Sequence, residues 1–303
     1  MTWEKGKKKL LHELAQLIAS KADPEQALQV DALARLFYRS YPPEDLRGSR
    51  VDNLYGFIYG AWRALRNWDG ERARVRLFHP DLEKHGWESN HSVVVVITPD
   101  MPFILDSVRG ELNRRNATIH KLHGQNFALQ RDGEGELVGI APFEAESEEP
   151  AGLIYLEINP VSDVAQIDAI VGALEEILDE VSLVVSDFPA MREKLAEVVA
   201  VVESSSGVDI DQRDENAAYL RWLIDDHATL LGYECLGVQH GVDGIHVLEV
   251  AESRLGLLRA RSTRGLTDLT EDLQAIGPDS DAVLERQLTF AKSRVRSRVH
   301  RFA

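Results

Sequence analysis

Residues 91–117 read HSVVVVITPDMPFILDSVRGELNRRNA, a β-branched run, a Pro/Asp turn and an amphipathic helix in immediate succession. Four consecutive valines and an isoleucine between His91 and Thr98 predict a strand covered on both faces or nearly so. Pro99 and Asp100 end it. Asp100 is placed to cap the next helix by accepting backbone N–H bonds, and Pro102 has the preset φ of a first turn. Met101, Ile104, Leu105, Val108 and Leu112 recur at about 100° per residue, while Arg109, Glu111, Arg114 and Arg115 fall elsewhere. One helix face is therefore expected to lie on a sheet, and the stretch reads as a folded junction rather than as an active site.

On the N-terminal side, helical periodicity runs through Leu10, Leu14, Leu17, Ile18, Leu28, Leu33, Leu36 and Phe37, with Asp23-Pro24 opening a second helix. Tyr41-Pro42-Pro43 breaks the pattern, and Asp52 begins a helix in which Leu54, Tyr55, Ile58, Tyr59, Trp62 and Leu65 recur. Tyr55, Tyr59, Trp62 and Trp68 could stack on bases or a cofactor, but aromatics at helical spacing are first the core of a helical unit, since they supply large apolar areas. Arg74–Phe78 alternates like an edge strand. On the C-terminal side, Thr118–Arg131 and Glu136–Ile140 flank Asp132-Gly133, a hairpin signal. PFEAESEEP (142–150) reads as an acidic loop, Leu153–Ile158 as a strand, and Asp163 as the start of a helix carrying Val164, Ile167, Val171, Leu174 and Leu178. Leu183-Val184-Val185 either supplies a last strand, completing the β-α-β-β-α-β order of a ferredoxin-like fold, or extends that helix into the one containing Met191, Leu195, Val198, Val199 and Val202.

SSSGVDIDQRDE (204–215) interrupts all periodicity and reads as a linker. After it, Asn216–Leu231 is helical, and Tyr233–Val238 and Ile245–Val250 form strands around Gly241–Gly244. The last forty residues hold the polar stretch TRGLTDLTEDLQ and a basic run. The fold class expected is α+β: a helical segment at 1–72, a domain with trailing helix at 73–203, the linker at 204–215, and a second α+β module at 216–303.

The chain has 303 residues, 44% of them apolar, enough for a sizeable core and two or three domains. No apolar run approaches the ~18 residues that span a bilayer, and MTWEKGKKKLLHEL lacks a secretory apolar segment, so a cytoplasmic protein with no membrane partner is expected. Cys235 is the sole cysteine, which excludes an internal disulfide and a cysteine-rich zinc site; it reads as a small core residue. The net charge of −16 is local: residues 131–230 hold 24 acidic and 5 basic side chains, whereas residues 1–90 hold 13 and 15. The acidic middle opposes long-range attraction to nucleic acid, which is therefore not the partner expected, and contact between unlike patches of subunits is the simpler use of the charge.

PDMPFILDSVRGELNRR is similar to the "MPFLVDSV" signature of the large bacterial NAD-specific glutamate dehydrogenases. FYRSYPPEDLRGSRVDNLYGFIYGAWRAL (37–65), HGWESNHSVV (85–94), LRWLIDDHATLLGYE (220–234), SRLGLLR (253–259) and KSRVRSRVHR (292–301) join that resemblance, which spreads over most of the chain. It implies regulatory or assembly modules of ACT and PAS-like type that precede a distant catalytic domain, so the chain would be a truncated piece. In that case 73–203 is the ACT-like domain and 216–303 the PAS-like module. The parent would convert glutamate, NAD and water to 2-oxoglutarate, ammonia and NADH in amino-acid catabolism. The piece itself would have no catalytic residue and no cofactor, with NAD belonging to the parent. Its partners would be a second copy and the parent's catalytic domain.

The ACT resemblance also implies amino-acid effector binding at the strand-to-helix turn, here Asp100, Met101, Pro102 and Phe103. Where ACT modules often carry a glycine after the proline, this chain has Phe103, which would fill the space, and Asp100 would repel a carboxylate. The four residues are therefore effector-binding or interface candidates, with the interface favoured. Stand-alone amino-acid sensing is the alternative function, and nucleic-acid binding through the basic ends a weaker one. Gly133-Glu134-Gly135-Glu136-Leu137-Val138-Gly139 evokes a dinucleotide loop, but its third glycine is misplaced and no helix follows, so it reads as a hairpin tip. His120 and His123 lie three apart in a strand, on opposite faces, which is wrong for a shared metal; both are expected to be partly exposed. Asp225-Asp226-His227 reads as a helix end. The ladder Lys292, Arg294, Arg296, Arg298, His300 and Arg301 could grip phosphate or form a strand that neutralises the acidic module, and the second is preferred.

Overall fold

The computed structural model describes residues 2–144, 149–205, 209–241, 244–260 and 293–295. The chain divides into two compact units, 1–178 and 179–303. In the first, α1 (Thr2–Lys21), α2 (Pro24–Arg39) and α3 (Val51–Arg66) precede a five-stranded antiparallel sheet. Its strands are β1 (Arg74–Phe78), β2 (Ser92–Pro99), β3 (Ile119–Arg131), β4 (Leu137–Pro142) and β5 (Pro150–Ile158), in the order β1-β2-β5-β3-β4. A single turn, α4 (Leu82–His85), lies between β1 and β2, and α5 (Ile104–Arg114) joins β2 to β3. After β5 the chain enters α6 (Val164–Ser204), a helix of 41 residues.

Pleating sorts the side chains. Val93, Val95 and Ile97 of β2, Phe127 and Leu129 of β3, and Leu153 and Tyr155 of β5 form one core with Leu14, Ile18, Leu33, Phe37, Ile58 and Leu65 of the N-terminal helices. Val94, Val96, Leu156 and Ile158 point the other way and are equally buried. The stripe Ile104, Val108 and Leu112 of α5 covers that face together with Ile170, Leu174 and Ile177 of α6, all buried. This explains the unbroken valine run: the strand has no wet side.

Polar joints fix the helical layer to the sheet. Gln29, buried, donates through Nε2 to the Leu137 carbonyl at 2.9 Å and accepts from Trp62 Nε1 at 2.9 Å. Arg131 donates to the Leu65 and Trp68 carbonyls at 3.1 and 2.8 Å, satisfying the C-terminal end of α3. Trp62 and Trp68 are core residues as expected, whereas Tyr55 and Tyr59 are half-buried.

The ferredoxin-like expectation needs one correction. Leu183-Val184-Val185 is helical and continues α6, so no strand follows it there. The β2-α5-β3-β5-α6 path has the ferredoxin-like neighbour order, and the position beside β2 that a final strand would take is filled by β1 from earlier in the chain, antiparallel to β2. β4 is added outside β3 through the predicted hairpin, where Asp132 Oδ1 accepts from the Glu134 and Glu136 amides, both at 2.9 Å.

In the second unit, α7 (Ile210–Trp222) begins inside the stretch read as a linker, with Asp209 accepting from the Asp211 and Gln212 amides. It ends in a wide turn at Leu223–His227 where His227 Nδ1 donates to the Trp222 carbonyl at 2.9 Å, so Asp225-Asp226-His227 is a helix end. β6 (Gly232–Tyr233) pairs with β9 (Leu255–Gly256), and β7 (Leu236–Gly241) with β8 (Gly244–Glu249). Cys235 is exposed, contrary to the core expectation, because the pairs around it are too short to enclose it. The central part of the acidic loop and most of the basic ladder lie outside the described residues. Of the ladder, Arg294 is described and pairs with Glu180 at 3.4 Å.

Candidate functional site

The turn joining β2 to α5 holds the four sequence candidates. Asp100 does not cap the helix. Its amide donates to the Pro150 carbonyl, and its Oδ1 accepts from Asn126 Nδ2 at 2.6 Å, which ties the turn back to β5 and β3. The capping position is Phe103, at φ 71° and with no side-chain bond to the first amides of α5. That left-handed conformation is one glycine adopts freely and a phenylalanine adopts at a cost of about 1–2 kcal/mol. Met101 and Phe103 are half-buried, Pro102 is exposed, and Leu105, expected on the covered face, is 36% exposed. Glu111, expected outside the apolar stripe, is buried instead, because Arg114 Nε and Arg115 Nε reach its carboxylate at 2.9 and 3.1 Å.

Beside this turn lies a cleft of about 290 Å³, floored by Gly124 and Asn126 of β3 and Gly152 and Ile154 of β5. A Cβ at Gly152 would come 3.3 Å from Asn126 Oδ1 and from Thr98 Cγ2, so the glycine allows its neighbours to close up. The charged side chains on the cleft are Asp100 and Asp106. Their sign disfavours a bound carboxylate, whereas Met101, Pro102, Phe103 and Leu105 present an apolar ridge suited to another protein surface. Sequence reasoning found the turn but missed Gly124 and Gly152. An isolated glycine within a strand pattern, as in HGQN, is the signal that marks a close approach.

A second polar centre sits on the helical side of the sheet. Glu157, buried, accepts from Tyr155 Oη at 2.7 Å and from Lys121 Nζ at 3.2 Å, and lies 3.2 Å from His91 Nδ1. Burial and then the Glu157 charge push the Tyr155 phenol far above its usual range, and the same causes, with Asp45 added, act on Tyr41. Both phenols stay neutral, so this centre is an ionic anchor between the Glu157 carboxylate and the Lys121 ammonium, with the Tyr155 hydroxyl and the His91 ring beside it. His123 is buried rather than partly exposed: α2 covers it, and its Nε2 donates to the Phe37 carbonyl at 2.8 Å. Burial chiefly lowers its pKa. His120 is exposed, its ring 4.2 Å from that of His91. Among the described residues no cluster of His, Cys, Asp and Glu side chains could hold a metal, and no helix is long and apolar enough to cross a membrane.

An α+β arrangement of helices on an antiparallel sheet with the ferredoxin-like neighbour order is consistent with an ACT-type domain. Residues 33–174 match the family described as "Glutamate dehydrogenase, ACT1 domain". Over 302 residues the chain is 36% identical to an NAD-specific glutamate dehydrogenase of Halomonas elongata, covering 98% of this chain and 19% of that protein. It is 37% identical over 292 residues to that of Pseudomonas aeruginosa, covering 95% of this chain and 18% of the relative. A Mycobacterium tuberculosis protein of the same name is 29% identical over 174 residues, 56% of this chain and 10% of its own length. The chain is thus related along nearly its whole length to NAD-specific glutamate dehydrogenases and spans about a fifth of the first two.

Proposed function

We propose that this chain is the N-terminal regulatory and oligomerisation portion of a large cytoplasmic NAD-dependent glutamate dehydrogenase, with hydride transfer carried out elsewhere in the parent. In this reading the helical layer and the ACT-type module form the assembly element and residues 216–303 a PAS-like module, while the parent binds NAD and converts glutamate to 2-oxoglutarate and ammonia. One observation carries it: Met101, Pro102, Phe103 and Leu105 stand as an apolar ridge at the turn of a module whose sheet is already covered on both faces. Such a ridge on a covered module is suited to a second copy or to the parent's catalytic domain.

Light scattering over a concentration series tests the assembly role. The mass should rise above the 33.9 kDa of one chain, and Phe103→Ser combined with Leu105→Ser should hold it there. A mass of one chain at every concentration, or association indifferent to the double substitution, would refute the ridge as a contact. The runner-up, a stand-alone amino-acid sensor, draws on the 290 Å³ cleft, which suits an amino acid in size; calorimetry with the common amino acids would reveal it.

A further inference from the structure

We infer that the groove between α3 and the β1–α4 segment is a binding site for a nucleoside polyphosphate. Its volume is about 420 Å³, within the range of small-ligand sites. Two stacked ring pairs border it. On α3 the Tyr55 and Tyr59 rings lie 5.6 Å apart at 16°, and on the opposite side the Phe78 and His85 rings lie 4.7 Å apart at 27°. Trp87, buried, closes the base and packs so tightly on Gly56 that a Cβ there would overlap its ring.

The charge pattern selects the ligand. Lys21, Arg63, Arg76 and Lys84 line the groove, and among its described lining residues there is no Asp or Glu, in a chain whose net charge is −16. Lys21 is partly engaged, 3.7 Å from Asp52 and 5.0 Å from the Tyr55 ring centre, and the Arg76 guanidinium stands 5.7 Å from the Phe78 ring centre. Flat π faces take a base whatever its edge pattern, and exposed arginine and lysine side chains take phosphate oxygens. A purely apolar ligand would leave the cations unused, and inorganic phosphate would leave the rings unused. Beside Tyr59, Gly60 opens the α3 wall, since nothing lies within 4 Å of where its Cβ would stand. The groove is distinct from the β2–α5 cleft, and ligand binding there is measurable whether or not the chain associates.

Calorimetry of the full chain with ATP, adenosine and tripolyphosphate tests the assignment. ATP should bind, with adenosine and tripolyphosphate each at least tenfold weaker. Arg76→Gln with Lys84→Gln should weaken ATP at least tenfold and reduce the salt dependence of binding. Gly60→Phe should fill the slot and abolish binding while leaving the melting temperature undiminished, because phenylalanine suits a helix interior better than glycine does. Absence of ATP binding at millimolar concentration, tripolyphosphate binding as tightly as ATP, or full binding by a folded Gly60→Phe variant would each overturn the site.

Discussion

Replacing Gln29 by leucine removes the buried amide that joins α2, α3 and the β3–β4 hairpin. In the native fold its Nε2 satisfies the Leu137 carbonyl and its Oε1 satisfies the Trp62 indole N–H, each at 2.9 Å. Leucine matches the volume approximately but leaves both partners unpaired, and an orphaned buried polar group costs about 1–3 kcal/mol. Two orphans give an expected loss of about 2–6 kcal/mol, a large share of the stability of an ordinary domain. Urea unfolding followed by far-ultraviolet circular dichroism measures it. Trp62→Phe in the same background deletes one orphan, so the double variant should lose about 1 kcal/mol or more less than the sum of the singles. A loss below about 0.5 kcal/mol for Gln29→Leu, or strict additivity, would refute the reasoning that this amide holds the helical layer to the sheet.

Two further outcomes follow from the packing. His123 has a folded pKa below its reference value of 6.5 because it is buried, so the unfolded chain takes up the proton first as pH falls. Its contribution is complete above that reference and is lost as pH drops from there through the lowered folded value; His123→Gln should flatten the stability profile on the acid side of that reference. Gly56→Ala and Gly60→Ala, one turn apart on α3, should have opposite signs. At Gly56 the new Cβ would stand 2.8 Å from Trp87 Cγ, an overlap costing about 1–3 kcal/mol, while at Gly60 it meets open space and gains up to about 1 kcal/mol of helix propensity. Thermal melting of the two variants reads the difference directly.

Elements whose pattern repeats within a few residues were legible in the sequence. The valine run, the Leu14 and Ile18 face of α1, the Asp23-Pro24 break and the Asp132-Gly133 hairpin all followed from local periodicity and turn chemistry. What escaped depended on partners distant in sequence. Leu183-Val184-Val185 suits a strand or a helix by its own pattern; it continues α6, and Arg74–Phe78, more than a hundred residues earlier, takes the place beside β2. Asp100 had a capping geometry in sequence, but Asn126 engages it from 26 residues away. Glu111 looked like a solvent residue until Arg114 and Arg115 folded over it, and His123 could not be known to be buried without α2. At the candidate site the turn was readable because Pro and Asp punctuate it. The cleft floor was not, because Gly124 and Gly152 meet only through strand pairing.

The strand Arg74–Phe78 has one more consequence. By lying along Ser92–Pro99 it occupies the hydrogen-bonding groups of a valine-rich segment with no charged side chain, the composition that self-templates into cross-β stacks when bare. A recombinant piece that began after Phe78 would leave that segment as a naked border and would be expected to precipitate as fibres, whereas a cut placed before Arg74 would leave its guard in place.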